Sequence, residues 1–289
     1  HTDDMAAMNY SNIYAPGQWR VGQAGGKWNF ENIYQCNYFL NTVLSRKTNG
    51  TLTGNQKLND HYIGEVYFMR AWIYFDKLKA LGDFPILRKT LADNMKVLTE
   101  ASKRDPRTEV ARFILSDLDS AIMLMQDEAP DGARNRLSKP VAQLFKSRVA
   151  LFEATWLKYF KNTAFVPNGP GWPGATKDYN QNYQFESGSI EAEIDWLLDQ
   201  AMDAAQAVAE KIPLEINNNI LQQSTDQDYN PYFNMFSRVD MAGFDEVLFW
   251  RRYDNGQFIT HNVPVYAQRG NHGVGVTRGP ARGFQESWP

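Results

Sequence analysis

One long helical pattern, apolar on two adjacent faces, constrains the fold of this chain more than any other feature. Residues 64–86 read GEVYFMRAWIYFDKLKALGDFPI. A helix that is apolar on two faces packs against neighbours on both of them. Gly82 suits a left-handed C-terminal cap and Pro85 prevents continuation, so the pattern predicts an inner helix that ends at GDFP. The two stripes recur at helical spacing as Tyr67, Ala71, Tyr74, Leu78 and Leu81, and as Phe68, Trp72 and Phe75.

The same spacing recurs along the chain and predicts five helices. Consecutive helices joined by polar turns pair into hairpins, at about 28–81 and 106–160, with a long connection at 87–104 between them. Stacked hairpins of this kind predict a mainly α fold, a tetratricopeptide-like array with long loops and a little β structure. The predicted helices are 28–46, 58–81, 106–126, 138–160 and about 190–212.

The remaining segments are predicted to be loops and short strands. Residues 163–189 are rich in Gly, Pro, Asn and Tyr, and a loop of this length inside a helical array is often functional. A loop- and strand-rich region follows at 213–289, and within it EVLFWRRY, 246–253, predicts a short strand. The whole chain, 1–289, is expected to be a single domain.

Several side chains receive specific expectations from their positions in these helices. His61 is expected to face solvent near a helix start, and Asp83 to cap or brace the GDFP turn. Asp105 and Ser138 are expected to be N-caps. The tryptophans at helical spacing are expected to lie in the core, namely Trp28, Trp72, Trp156 and Trp196.

Composition argues against several classes of function. The formal net charge is -3 and the pI about 5.9, so there is no basic excess to neutralise the phosphates of a nucleic acid. No apolar run approaches the roughly 20 residues that span a bilayer. Cys36 is the only cysteine, which excludes a disulfide framework within these residues. The four histidines show no metal-ligand spacing, so neither a metal nor a cofactor is expected.

The long helix closely resembles the signature helix of the SusD/RagB family. In that family a Gly-Glu, an R-A-W-x-Y-F and a G-D-x-P follow one another in this order. Further segments are similar to the family's in the same order, with Asn135 in place of a usual Gly, and together they span about 28 to 287. The matching residues are Gly64-Glu65, Arg70-Ala71-Trp72, Tyr74-Phe75, Gly82-Asp83-Pro85, and the segments 28–44, 107–121, 135–152, 245–249, 277–279 and 282–287.

This resemblance implies a SusD-like fold and a surface-exposed lipoprotein of the outer membrane. Such a protein captures oligosaccharide or polysaccharide and passes it to a SusC-like TonB-dependent transporter, without being an enzyme. Because family chains are longer, this sequence is expected to be truncated at both ends, without the lipid-anchored N-terminus. Cys36 lies inside a helix and is not expected to be that anchor.

Two loop stretches are predicted to bind the glycan, because aromatic faces flanked by polar side chains suit sugar rings. The first, YAPGQWRVGQ, precedes the first helix, where family loops commonly contribute to the glycan site; the second is the loop 163–189. Trp19 and Trp172 are each either a ligand platform or a structural anchor. The predicted residues are Tyr14, Trp19, Arg20, Gln23, Trp172, Asp178, Tyr179, Asn180, Asn182 and Tyr183.

Two other functions remain open from the residues alone. A glycoside hydrolase would need two carboxylates facing each other across a cleft at about 5 to 10 Å, and nothing in the sequence singles out such a pair. A tetratricopeptide scaffold would bind a protein or a peptide on its concave face instead. Some relatives in the family bind peptides.

Overall fold

In the computed structural model, the structure describes residues 5–7, 15–18, 26–220, 230–261 and 274–276. These residues are mainly helical, and the two short strands pair antiparallel, with Ala6 opposite Gly275. Two short 3-10 helices, Pro173–Thr176 and Asn255–Gln257, interrupt the loops. The elements are β1 (Met5–Ala7), α1 (Glu31–Thr48), α2 (Gln56–Leu81), α3 (Met95–Ala101), α4 (Arg107–Leu124), α5 (Lys139–Phe160), α6 (Ile190–Ala209), α7 (Pro231–Ser237) and β2 (Val274–Val276).

The chain divides into two compact units. The larger, called the helical unit below, comprises Lys27–Leu214 and Asp245–Trp250, and it contains α1 to α6. The other comprises His1–Gly26, Glu215–Phe244 and Arg251–Pro289, and it contains both strands and α7. That the whole chain is a single SusD-like domain stays a prediction.

The predicted helical hairpins are confirmed in the helical unit. Helices α1 and α2 form the first hairpin and α4 and α5 the second, while α2 packs on α4 and α6 packs on α5. Asn55 caps α2 by accepting a hydrogen bond from the backbone N–H of Leu58, and Gly82 ends that helix with a φ of 68°. The mainly α, hairpin-stacked fold class is therefore correct.

The core of the helical unit lies between these helices. Tyr74 of α2 is fully buried and makes an edge-to-face contact with Phe113 of α4, with ring centroids 4.8 Å apart. Leu118 of α4 and Leu197 of α6 are also inaccessible to solvent. Each large apolar side chain buried in this way stabilises the fold by about 1.5–3 kcal/mol.

Buried ion pairs join α4 to each of its neighbours. Every arginine in them approaches its carboxylate with two N–H groups, a geometry that fits guanidinium to carboxylate. Removing one partner of such a pair leaves a buried charge without compensation, so these contacts fix how the helices dock. The pairs are Arg70–Asp117 (2.7 Å), Arg107–Glu153 (2.7 Å) and Arg112–Glu193 (2.7 Å).

The expectation that the helical tryptophans lie in the core is wrong for Trp28 and Trp72. Trp28 is 43% exposed and Trp72 is 52% exposed. Trp28 precedes α1 and is not part of its apolar stripe, and Trp72 stacks on the outside of Phe145, with centroids 5.0 Å apart. Trp156 and Trp196 are half-buried and pack against the core, and the guanidinium groups of Arg107 and Arg112 lie over their rings.

His61 is buried, which corrects the expectation that it faces solvent. Helix α2 begins at Gln56, so His61 lies in its second turn and points towards the end of α4. Its Nδ1 accepts a hydrogen bond of 3.0 Å from the backbone N–H of Gln126. Because Nδ1 accepts, the proton of the neutral ring is on Nε2, which lies 3.5 Å from a carboxylate oxygen of Glu65.

One further local prediction, the strand at 246–253, is wrong, and the structure adds detail to two others. The connection 87–104 contains α3, which begins where the Asn94 side chain accepts hydrogen bonds from two backbone N–H groups. Residues 246–253 form no strand, because Trp250 binds the loop before α5 instead, through its backbone and indole N–H groups. Ser138 is the N-cap of α5, as predicted, although its side chain makes no capping hydrogen bond. The segments 277–279 and 282–287 lie outside the described residues.

Candidate functional site

The GDFP turn after α2 forms the floor of the candidate site. Phe84 is fully buried and exchanges two backbone hydrogen bonds with Asp105, at 3.1 and 3.3 Å. The Asp105 side chain accepts a hydrogen bond from the backbone N–H of Ile86, so it is not the N-cap of α4. The turn thus joins the end of α2 to the start of α4.

Asp83 braces this turn, as expected from its position. One carboxylate oxygen, Oδ1, accepts a 2.9 Å hydrogen bond from the backbone N–H of Arg107, at the start of α4. The other, Oδ2, accepts a 2.8 Å bond from the indole N–H of Trp172. Burial raises the pKa of the Asp83 carboxyl, and these two hydrogen bonds oppose that rise. A single side chain therefore holds together α2, α4 and the loop 163–189.

The loop 163–189 is held against the helices at further points. The backbone of Gly174 packs directly against the Trp172 indole, since a Cβ at this position would come within 2.2 Å of the ring. The Asn180 side chain donates a 2.9 Å hydrogen bond to the carbonyl oxygen of Arg104. The hydroxyls of Tyr183 and Thr108 share a hydrogen bond of 2.6 Å. These contacts give an irregular segment a defined conformation beside the GDFP turn.

A groove of about 730 Å³ lies between the turn, this loop and the segments that flank α1 and α4. We call it the Asp83 groove. Its volume is within the range of about 300–1,000 Å³ that is typical of small-ligand pockets. Three of its aromatic side chains reach solvent, namely Trp28 (43% exposed), Phe165 (62%) and Tyr179 (39%). Flat rings at the edge of an open groove are suited to stacking on ligands.

Trp156 and Arg107 form one wall of the Asp83 groove. The Trp156 indole N–H donates to the carbonyl oxygen of Phe165 at 3.1 Å, and the Arg107 guanidinium lies 4.2 Å from the Trp156 ring centre. Because Arg107 is also paired with the fully buried Glu153, this wall is rigid and electrically balanced. The remaining polar lining consists of Lys79, Ser102, Arg104, Lys177 and Asn180.

The structure brings three of the predicted binding residues to the groove. Tyr179 lines it and is exposed, while Asn180 and Trp172 line it but are mostly buried. With 3% of its surface exposed and its N–H bound to Asp83, Trp172 has the contacts of a structural anchor. Its role as a ligand platform, like the other predicted roles in binding, stays a prediction.

Three other predicted binding residues, all on the loop 163–189, are not among the described residues that line the Asp83 groove. Asp178 and Asn182 are exposed on the same loop, and Asp178 accepts a hydrogen bond from the backbone N–H of Tyr179. Burial raises the pKa of Tyr183, whose hydroxyl is directed at α4. The residues of the first predicted stretch, Tyr14, Trp19, Arg20 and Gln23, lie outside the described residues.

Sequence reasoning missed five groove residues that come from separated segments. Trp28 precedes α1, Lys79 is in the last turn of α2, and Arg104 precedes α4. Phe165 and Lys177 belong to the loop 163–189, but neither stood out there. One signal was available for Trp28: it lies two residues before the first residue of the helical stripe, where the apolar repeat has not yet begun.

The donor set of the groove offers little for catalysis or for a metal ion. Among the described residues that line it, Asp83 is the only carboxylate, and both of its oxygens accept hydrogen bonds. Within the described part of the chain, no group of three or more His, Cys, Asp or Glu side chains could hold a metal. The arrangement instead suits non-covalent binding by ring faces and hydrogen-bond donors.

Comparison with known proteins identifies the family. The SusD-like_3 family, described as starch-binding associating with outer membrane, matches residues 1–151, which is just over half of the 289-residue chain. No curated protein matches the chain. None of the helices in the described residues is both long enough and apolar enough to span a membrane.

One solved structure agrees with this assignment at the level of the fold. A SusD superfamily protein from Bacteroides fragilis NCTC 9343 is 18% identical, with a TM-score of 0.51 over 84% of this chain and 39% of its own. A SusD-like carbohydrate binding protein from the same strain is 14% identical, with a TM-score of 0.48 over 75% of this chain and 34% of its own.

A third structure, a SusD-like protein of that strain, is 23% identical, with a TM-score of 0.39 over 55% of this chain and 31% of its own. The chain thus spans 31% to 39% of the length of these three structures. With the match over residues 1–151 and the shared helical fold, the chain belongs to the SusD-like family.

Proposed function

We propose that this protein captures oligosaccharide or polysaccharide in the Asp83 groove. The observation that carries the proposal is the group of exposed rings, Trp28, Phe165 and Tyr179, beside the hydrogen-bond donors of the groove. Sugar rings present flat C–H surfaces bordered by hydroxyls, so a binding site needs aromatic faces with polar groups close to them. The Asp83 groove supplies both on a braced scaffold.

The bracing by Asp83 supports a binding role, because a preorganised site spends less of its binding energy on ordering its own side chains. Trp172, Asn180 and Tyr183 hold the loop to the helices, while Tyr179 between them remains free to contact a ligand. Buried anchors that alternate with exposed rings are what a recognition loop on a rigid helical array requires.

In the cell, we propose that the protein is a lipid-anchored component of the extracellular face of the outer membrane. There it would deliver the captured glycan to a SusC-like TonB-dependent transporter. The family description, starch-binding associating with outer membrane, supports this placement, and so does the resemblance of the α2 segment to the family's signature helix.

We propose further that the protein binds glycan without cleaving it. Hydrolysis of a glycosidic bond by the usual mechanism needs a second carboxylate across the site, at about 5 to 10 Å. Asp83 faces no such partner among the described lining residues. Incubation with a retained polysaccharide should therefore release no new reducing ends; their steady appearance would instead favour a glycoside hydrolase.

Affinity electrophoresis through gels that carry different polysaccharides tests glycan capture. We expect at least one glycan to retard the protein, and Tyr179→Ala to reduce that retardation. Tyr159→Ala is the matched control, since Tyr159 is 73% exposed on α5 and does not line the groove. If no glycan retards the protein, or if both substitutions reduce retardation equally, glycan capture in this groove is wrong and binding of a peptide or a protein becomes the better explanation.

The proposed transporter partner requires a separate test with the full-length, lipidated protein. Copurification of a SusC-like transporter from outer membranes, through a tag on the lipoprotein, is the expected result. A lipoprotein that is anchored and binds glycan but never copurifies with such a transporter would contradict the delivery step alone.

A further inference from the structure

The Asp83 groove has a positive charge that the chain as a whole lacks. Three exposed cations line it, Lys79, Arg104 and Lys177, although the formal net charge of the chain is -3. The one carboxylate among the described lining residues, Asp83, has both oxygens engaged by N–H groups of Arg107 and Trp172. Arg107, the remaining lining cation, is neutralised by Glu153.

These three cations form no ion pair within the described residues, in contrast to the arginines of α2 and α4. Arg104 lies over the Trp28 ring, 4.7 Å from its centre, and Lys79 lies 4.9 Å from the centre of the Phe75 ring. The arginines elsewhere on α2 and α4 and in the loop before α5 are paired: Arg70 with Asp117, Arg107 with Glu153, Arg112 with Glu193, and Arg136 with Glu65.

Two acidic residues near the groove pair with other cations, whereas a third, Asp178, is exposed beside Lys177 and forms no ion pair within the described residues. Glu100 pairs with Lys103, whose ammonium group also lies 5.6 Å from the centre of the Tyr179 ring. Asp76, near the end of α2, pairs with Lys27 at 2.8 Å. Lys79, Arg104 and Lys177 thus line the groove without an ion-pair partner among the described residues. Like charges around one cleft repel each other and raise the local concentration of anions.

Because the Arg104 guanidinium stacks on Trp28, an anion that binds Arg104 lies next to an exposed ring. A guanidinium offers paired N–H donors that match a carboxylate or a sulfate group, and an ammonium adds an unspecific positive charge. A ligand that satisfies both Arg104 and the ring carries an acidic group on a flat, weakly polar body. Acidic sugar residues have that combination.

We propose that the Asp83 groove selects acidic saccharides, in which uronate carboxylates or sulfate groups pair with Arg104, Lys177 and Lys79. The proposal rests on the glycan capture proposed above and names the chemical class of its ligand. In it, Trp28 and Tyr179 contact the sugar rings and the three cations contact the acidic substituents. The preference for acidic over neutral sugars arises from the cations alone.

Isothermal titration calorimetry with matched tetrasaccharides tests this selection. Tetragalacturonate carries four carboxylates, its fully methyl-esterified form has the same sugar rings without charge, and a sulfated galactose tetramer replaces carboxylate by sulfate. We expect the acidic forms to bind at least about tenfold more tightly than the ester, since each charge-assisted contact contributes on the order of tenfold in affinity. The preference for carboxylate or for sulfate identifies the acidic group.

Two further measurements connect the preference to the groove. Raising the salt concentration from about 50 to 500 mM should weaken the acidic ligand much more than the ester, because salt screens exposed charges. Arg104→Gln should weaken the acidic ligand about tenfold. It leaves intact the backbone carbonyl that holds Asn180. Arg46→Gln, an exposed arginine on α1 outside the groove, should change nothing.

The outcomes separate this inference from the proposed function. If the ester binds as tightly as the acid, the inference is overturned while glycan capture survives. If none of the three tetrasaccharides binds, the inference is overturned, and glycan capture fails with it only when no polysaccharide retards the protein in the affinity gels. Tetraglutamate provides the last comparison: binding of this peptide as tightly as tetragalacturonate would overturn the inference, because the groove would then recognise negative charge without recognising sugar.

Discussion

The indole N–H of Trp172 donates a 2.8 Å hydrogen bond to Oδ2 of Asp83, across 89 residues of sequence. This bond joins the GDFP turn, which the α2 pattern predicts, to a glycine- and proline-rich loop that no periodicity could place. The other oxygen of the same carboxylate accepts from the first residue of α4. The shape of the proposed binding groove therefore depends on one side chain at the end of α2.

Asp83→Asn should destabilise the helical unit by about 1–3 kcal/mol. An asparagine side chain has a single oxygen, so either the Trp172 N–H or the Arg107 N–H loses its acceptor. Urea denaturation followed by circular dichroism measures the change. Asp119→Asn is the control, since Asp119 is an exposed partner of Lys146 and should cost less than about 1 kcal/mol. Equal effects of the two substitutions would contradict the bracing role.

Gly174→Ala should displace the Trp172 ring. A Cβ at this position would lie 2.2 to 2.6 Å from three atoms of the indole, so ring or backbone must shift, at a cost of about 1–3 kcal/mol. Gly243→Ala is the matched control, because no atom lies within 4 Å of its added Cβ. A Gly174→Ala protein with unchanged stability and unchanged tryptophan fluorescence would show that this packing is not required.

Trp72→Ala should cost far less than the removal of a core aromatic residue. Trp72 is 52% exposed and contacts the unit mainly by stacking on Phe145, so we expect a loss of about 1–2 kcal/mol. Phe113→Ala removes a ring that is 2% exposed and should cost about 3–5 kcal/mol. Equal losses of stability in denaturation experiments would indicate that Trp72 belongs to the core, as its helical spacing predicts.

Arg70→Ala should cost about 3–5 kcal/mol, because it leaves the buried Asp117 carboxylate without its partner. Arg136→Ala removes a pair whose arginine is 47% exposed, and it should cost less than about 1 kcal/mol. The difference between the two free energies of unfolding is the measured quantity. A small effect of Arg70→Ala would mean that water enters the interface between α2 and α4 readily.

The sequence predicts the parts of this structure that leave a local pattern in it, and it does not predict the parts that leave none. Helices α1, α2, α4, α5 and α6 follow from apolar residues repeating every three to four positions, a local property. Helices α3 and α7 have seven residues each, too few for a period to stand out. Burial of the tryptophans could not be predicted, because an apolar stripe does not indicate whether the next layer is a helix or solvent.

The candidate site was predictable only in part, for a related reason. The composition of the loop 163–189 drew attention to Tyr179 and Asn180, and both line the Asp83 groove. Lys79, Arg104 and Trp28 come from three other segments and are ordinary residues in their local context. They meet only because the GDFP turn and the start of α4 are joined at Asp83, and a long-range contact of this kind leaves no periodic trace in the sequence.

The most direct test of the central claim compares two exposed tryptophans in one calorimetric titration of the retained glycan. Trp28 lines the Asp83 groove and Trp72 does not, although both are about half exposed. Our account predicts that Trp28→Ala weakens binding about tenfold or more, while Trp72→Ala leaves the dissociation constant unchanged. Unchanged binding by Trp28→Ala, or an equal loss in both variants, would contradict capture of glycan in this groove.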